Sequence, residues 1–179
     1  MKFLLSISSF IDWVNERLGW FAKILVLISA LVSAGNAMVR YAFDLSSNGW
    51  LEVQWYMFAC IVMLGASYTL KRNEHVRVDI VYMNLSERKQ IWVDIIGTVV
   101  FLLPTCAVLA WLAWPFFMQS FDIRESSGNA GGLPRWPIKF VLPLGFALVA
   151  LQGVSEIIKR VAALENLVKL DVKYERPTQ

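Results

Sequence analysis

Long runs of apolar residues alternate along this chain with short polar segments. Four runs reach the roughly 20 residues that a helix needs to cross the hydrocarbon core of a bilayer: residues 18–39, 51–70, 91–117 and 140–158. Basic residues close three of them: Arg40 after the first, Lys71 and Arg72 after the second, Lys159 and Arg160 after the fourth. The pattern predicts an all-α membrane protein, with four transmembrane helices in one domain over residues 1–179 and a polar tail over residues 159–179. The third run is the longest and holds Pro104 and Pro115. Pro104 removes a backbone donor, so a kink is expected there, with neighbouring helices satisfying the freed groups.

Ahead of the first run the period changes. Phe3, Leu4, Ile7, Phe10, Ile11, Val14 and Leu18 recur at helical spacing, while Ser6, Ser8, Ser9, Asp12, Asn15 and Glu16 take other faces. This predicts an N-terminal amphipathic interfacial helix over residues 2–17; the alternative is an extension of the first span. Asp12 and Glu16 break the apolar run too early for a cleaved leader, so the segment is read as retained. Asn84-Leu85-Ser86-Glu87 has the form of a capping box, with Asn84 as N-cap and a helix start near Leu85. The Ser-, Gly- and Pro-rich stretch over residues 121–137 predicts a turn-rich connection.

Composition strengthens the membrane reading. The chain is 57% hydrophobic with a mean hydropathy of +0.52, above the usual share for a soluble domain. A net charge of +3 gives no basis for a nucleic-acid partner, and the positions of the charges carry more information than their sum. Thirteen of the 17 Lys and Arg lie in the segment up to Lys23, between Lys71 and Lys89, or after residue 158. The positive-inside rule places those segments, and both termini, in the cytoplasm. Trp20 and Trp92 then fall at inner ends of spans, and Trp50, Trp55, Trp111, Trp114 and Trp136 at or near outer ends, as an aromatic belt requires. Cys60 and Cys106 lie within apolar runs without a CxxC motif and read as packing residues.

The middles of the four runs contain no Asp, Glu, Lys, Arg or His; Lys23, Glu52, Asp94 and Glu156 all lie near run ends. Transporters place ionisable or unwound elements near the midplane, where ions and substrates must be coordinated. This chain is therefore not expected to move an ion or an anionic solute alone. A lone His75 in a loop cannot supply paired haem ligands, and no zinc cluster, phosphate-binding Gly loop or nucleophilic triad is present. The expectation is a non-enzyme without cofactors that serves as a scaffold or partner subunit.

Several residues are candidates for subunit or partner contacts. Glu52 and Gln54 open the second span, and polar groups entering hydrocarbon usually bond to another helix. His75, Arg77 and Asp79 alternate with Val76, Val78 and Ile80 just after that span, so part of this loop should pack against something. Arg124, Glu125 and Arg135 form a charged patch on the outer connection, a suitable docking surface for a soluble partner. Ser33, Gly35 and Asn36, then Gly65, Ala66 and Ser67, then Gln152, Gly153 and Ser155 supply small or hydrogen-bonding residues for close helix packing.

The order of these features resembles one family. The amphipathic start, Glu52 with Gln54, Gly65-Ala66, His75-Val76-Arg77-Val78-Asp79, Gly131-Gly132-Leu133-Pro134-Arg135-Trp136-Pro137-Ile138, Leu142-Pro143-Leu144-Gly145-Phe146 and Gln152-Gly153 together are similar to the small membrane subunit of tripartite ATP-independent periplasmic (TRAP) transporters, the DctQ family. The likeness covers residues 10–165. It implies a system of three parts: a periplasmic solute-binding protein that captures an organic anion such as a carboxylate or sialic acid, a large multi-span subunit that moves it with sodium, and this chain as part of the fixed scaffold among the lipids of a bacterial inner membrane. Two other readings stay open at this level: a self-sufficient small homo-oligomeric transporter, and an anchor or assembly subunit of an unrelated complex.

Overall fold

The computed structural model describes residues 1–45, 47–74, 82 and 85–168. The apolar runs fold as helices that extend beyond the runs themselves. Helix α1 is Lys2–Phe43, 42 residues without a break. The expected amphipathic segment is helical and continues directly into the first span, because no Pro or turn signal separates Arg17 from Leu18. Asp44 ends α1 in the left-handed region (φ 55°), and its N–H donates to the Arg40 carbonyl. Helix α2 is Asn48–Arg72, closed by Asn73 at φ 59°. Asp and Asn tolerate this conformation better than other non-glycine residues.

Helix α3 is Glu87–Gly97, a π-helical turn follows at Thr98–Leu102, and α4 is Leu103–Asp122. Helix α3 starts two residues later than the capping pattern predicts: Ser86 is extended, and its carbonyl accepts from Lys89 and Gln90. Asn84 lies outside the described residues. The irregularity next to Pro104 is the π turn just before it. There the Leu103 N–H donates to the Thr98 carbonyl, five residues back. Proline cannot donate to the residue four before it and crowds that carbonyl, and a wider turn relieves the crowding. Helix α5 is Trp136–Leu164.

Four helical stretches are long and apolar enough to cross a membrane: α1, α2, α3 through α4, and α5. The described residues contain no strand, only one isolated bridge between Ser126 and Pro134. The chain is an all-α membrane protein.

Small residues set the packing. A side chain at Gly19 of α1 would overlap the Tyr68 ring of α2, and Gly65 of α2 faces Ala22. Gly145 of α5 lies under Met63 of α2, and Gly153 lies against Leu102 of the π turn. Helix α5 therefore touches every other helix. Aromatic pairs join its start to α4: Phe117 and Phe140 lie 5.1 Å apart, Phe121 and Trp136 5.3 Å. The largest fully buried side chains are polar, Gln152 and Asn15 among them, while Phe3, Phe101 and Trp111 face outward. Lipid accepts apolar side chains on the outside, so helix contacts can be made of small and polar ones.

Candidate functional site

Polar side chains gather at the two ends of the bundle. At the loop end, the connection between α4 and α5 folds back over the start of α2. Glu52, one turn into α2, is buried, and its carboxylate accepts three hydrogen bonds from that connection: from Ser127 Oγ, from Asn129 Nδ2 at 2.9 Å and from the Leu133 backbone N–H at 2.7 Å. Tyr56 donates to the Pro134 carbonyl at 3.0 Å. Gly131 takes φ +71°, a conformation that glycine adopts without strain. The connection is thus held as a shaped cap, not a loose tether.

Glu125 and Arg135 belong to this cap. Lys139 and Arg135 both pair with the Glu125 carboxylate, the Arg135 contact at 3.9 Å, and the Arg135 N–H donates to the Glu125 carbonyl at 2.8 Å. The Lys139 ammonium that donates to Glu125 holds its carboxyl below the ordinary glutamate range. Arg124 is exposed at φ 45°, and among the described residues its side chain has no bonding partner. Gln54 is half-buried and also lacks one. Of the charged patch expected at this end, two members are engaged within the chain and Arg124 stays available. His75, Arg77 and Asp79 lie outside the described residues.

The terminal end carries a second network, which sequence patterns did not single out as a site. Ser8, Asp12, Asn15 and Gly19 share one face of α1 by their i, i+4, i+7 spacing. That face turns inward against α5. Asn15 Nδ2 donates to Gln152 Oε1 at 2.6 Å, and Gln152 Nε2 donates to Asp12 at 2.9 Å and to Glu156 at 3.0 Å. Ser155 Oγ donates to Asp12 at 2.8 Å, and the Ser8 and Ser155 hydroxyls lie 2.7 Å apart. Lys159 bridges Asp12 and Glu156; Arg160 bridges Glu156 and Asp94 at 2.5 and 3.1 Å. The charges alternate from α1 through α5 to α3. On the other side of α1, Glu16 pairs with Lys71 at 2.6 Å and with Arg72 at 3.0 Å. The period of the polar residues in α1 was visible in the sequence; the helix that receives them was not.

Among the described residues no group of His, Cys, Asp and Glu could hold a metal ion. The ionisable residues form ties between elements. Asp94, Glu156 and Arg160 line an open groove of about 600 Å³ beside the π turn, where they are paired with one another.

No curated protein and no solved structure matches the chain. A family model described as "Tripartite ATP-independent periplasmic transporters, DctQ component" matches residues 29–163, from the first span to the last turns of α5. With the match running through all four spanning helices, the chain belongs to the DctQ component family of tripartite ATP-independent periplasmic transporters.

Proposed function

We propose that this chain is the non-conducting scaffold subunit of a sodium-coupled, binding-protein-dependent importer of organic anions such as carboxylates or sialic acid. Both termini lie in the cytoplasm of a bacterium and the loop end faces the periplasm, as the positive-inside rule favours. The large subunit carries the sodium and substrate sites. The observation that carries this reading is the distribution of charge: residues 24–39, 53–70, 95–121 and 140–155 hold no Asp, Glu, Lys, Arg or His. A path for an anion and its coupling ion needs such groups, or unwound backbone, at mid-depth.

The cap built on Glu52 is the docking surface for the periplasmic binding protein, with Arg124 as a cation that has no ion-pair partner among the described residues. In support, the cap has a fixed shape, and its exposed charge needs no intrachain partner.

Reconstitution in liposomes tests the reading. Under an inward sodium gradient, with the loaded binding protein outside, vesicles holding both membrane subunits should accumulate the organic acid. Vesicles holding this chain alone should not, and uptake by the chain alone would overturn the proposal. Arg124→Glu should reduce uptake while leaving the amount of membrane complex unchanged; full uptake would remove the docking role.

A further inference from the structure

Just past the polar network of α1, three donors meet without an acceptor. Gly19 lets the Tyr68 ring of α2 lie close against α1. Lys23 Nζ donates to the Tyr68 hydroxyl at 3.1 Å, and Arg72 Nε donates to the same oxygen at 3.0 Å. Both cations also lie over the Tyr68 ring, at 4.7 and 5.3 Å from its centre. The oxygen already accepts twice, so the Tyr68 O–H proton is a third donor; among the described residues it has no acceptor. Lys23 has no carboxylate partner among them either. Arg72 shares Glu16 with Lys71, and Asp12 is taken by Lys159. Three cations are thus gathered around the single carboxylate of Glu16. From this cluster a groove of about 550 Å³ runs between α1 and α2 toward the middle of the bundle, past Ala22, Val26, Ile61, Val62 and Ala66. Trp20, exposed one turn before Lys23, has the position of an interfacial aromatic residue.

Converging donors with an excess of positive charge call for an anion with several acceptor oxygens. At the edge of the hydrocarbon layer, the group that meets this description everywhere is the phosphate of a phospholipid, and it arrives with acyl chains attached. We propose that this site binds a phospholipid of the leaflet at the terminal end, its phosphate held by Lys23, Arg72 and the Tyr68 hydroxyl and one acyl chain laid along the groove. A transmembrane helix fits less well. It is about 10 Å across, so one turn of it already has roughly the volume of the whole groove, whereas an acyl chain is slender enough to lie between α1 and α2. A second copy that met this face with its own would add the same excess of cations, like charge beside like charge.

Mass spectrometry of the full chain, released from detergent with its bound lipid, tests this. Titrated with phosphatidylglycerol, the chain should retain a lipid that Lys23→Gln binds about tenfold more weakly, the loss of one charge-assisted hydrogen bond. Lys23→Arg should keep the affinity. Lys23 has no ion pair to break, so both variants should melt as the unaltered chain does. Ala66→Phe, which fills the groove and leaves the cations in place, should also weaken retention. Diacylglycerol, which has the chains but no phosphate, should not be retained. Equal retention of phosphatidylglycerol by Lys23→Gln, or retention of diacylglycerol by the unaltered chain, overturns the phosphate site. If glycerol phosphate without acyl chains binds as tightly as phosphatidylglycerol, the occupant is a free phosphate and the lipid is overturned. In the intact membrane complex, a photoreactive residue in place of Val62, within the groove, should form adducts with lipid. Adducts to another protein or to a second copy of this chain would overturn the lipid as occupant.

Discussion

The two ends of the bundle use carboxylates in different ways. At the loop end, Glu52 accepts from two neutral side chains and one backbone N–H, all in a single connection. At the terminal end, Asp12, Glu156 and Asp94 alternate with Lys159 and Arg160 across three helices. The first arrangement fixes the shape of a loop and involves little of the bundle. The second fixes how α1, α3 and α5 lie against one another. Removing a member should therefore have local consequences at one end and global ones at the other. Burial does not separate the two carboxylate sets, since Glu52 is 4% exposed and Glu156 8%; the difference lies in what each one joins.

The largest effect should come from Gln152→Leu. Gln152 is 0% exposed and joins Asn15, Asp12 and Glu156. Leucine fills similar space but leaves three polar partners short, a loss of about 3 kcal/mol, read as a lower thermal midpoint of the detergent-solubilised protein. An unchanged midpoint would break the contrast between the ends. Next is Gly19→Val, where the added side chain meets the Tyr68 ring. Overpacking of this kind should cost about 2 kcal/mol and weaken the contact between α1 and α2 in the same melt. Glu52→Gln should leave the midpoint in place and act on the cap alone. Exchange of the Leu133 amide should quicken by about tenfold as local opening becomes easier; a midpoint drop as large as that of Gln152→Leu would mean that the loop end also holds the bundle. The smallest effect concerns pH. Because Lys139 lowers the Glu125 pKa, that pair contributes fully above the ordinary value of 4.5, and its contribution fades as pH falls through the lower folded value. Leu133 exchange should therefore be steady near neutrality and rise only in acid. Lys139→Met should remove most of that acid dependence.

Apolar runs made the four spans legible, because length and hydropathy alone define a crossing helix. Their ends were harder to place. Basic and Trp residues mark where a span leaves hydrocarbon but not where its helix stops, and α1 reaches back to Lys2 and α5 on to Leu164. Glu52 stood out as a carboxylate entering an apolar helix. Its donors did not, since Ser127, Asn129 and Leu133 lie 75, 77 and 81 positions away. Asp12 and Asn15 could be assigned to one face of α1, but a single helix does not name its neighbour. Asp94 and Glu156 were legible only as charges near span ends, for the same reason. Ser33 and Asn36 resembled Gln152 and Ser155 as packing residues, yet only the latter pair is buried within the chain.

Helix α1 has a further consequence. Its 42 residues rise about 1.5 Å each, so it is roughly 63 Å long, against a hydrocarbon layer of about 30 Å. It contains no proline, and the hydrogen bonds to α5 clamp it near one end. Phe3, Phe10 and Trp13 project from its first turns. A helix so much longer than the layer it crosses must tilt or run on past the headgroups, so part of α1 belongs to the aqueous edge of the membrane and not to its interior.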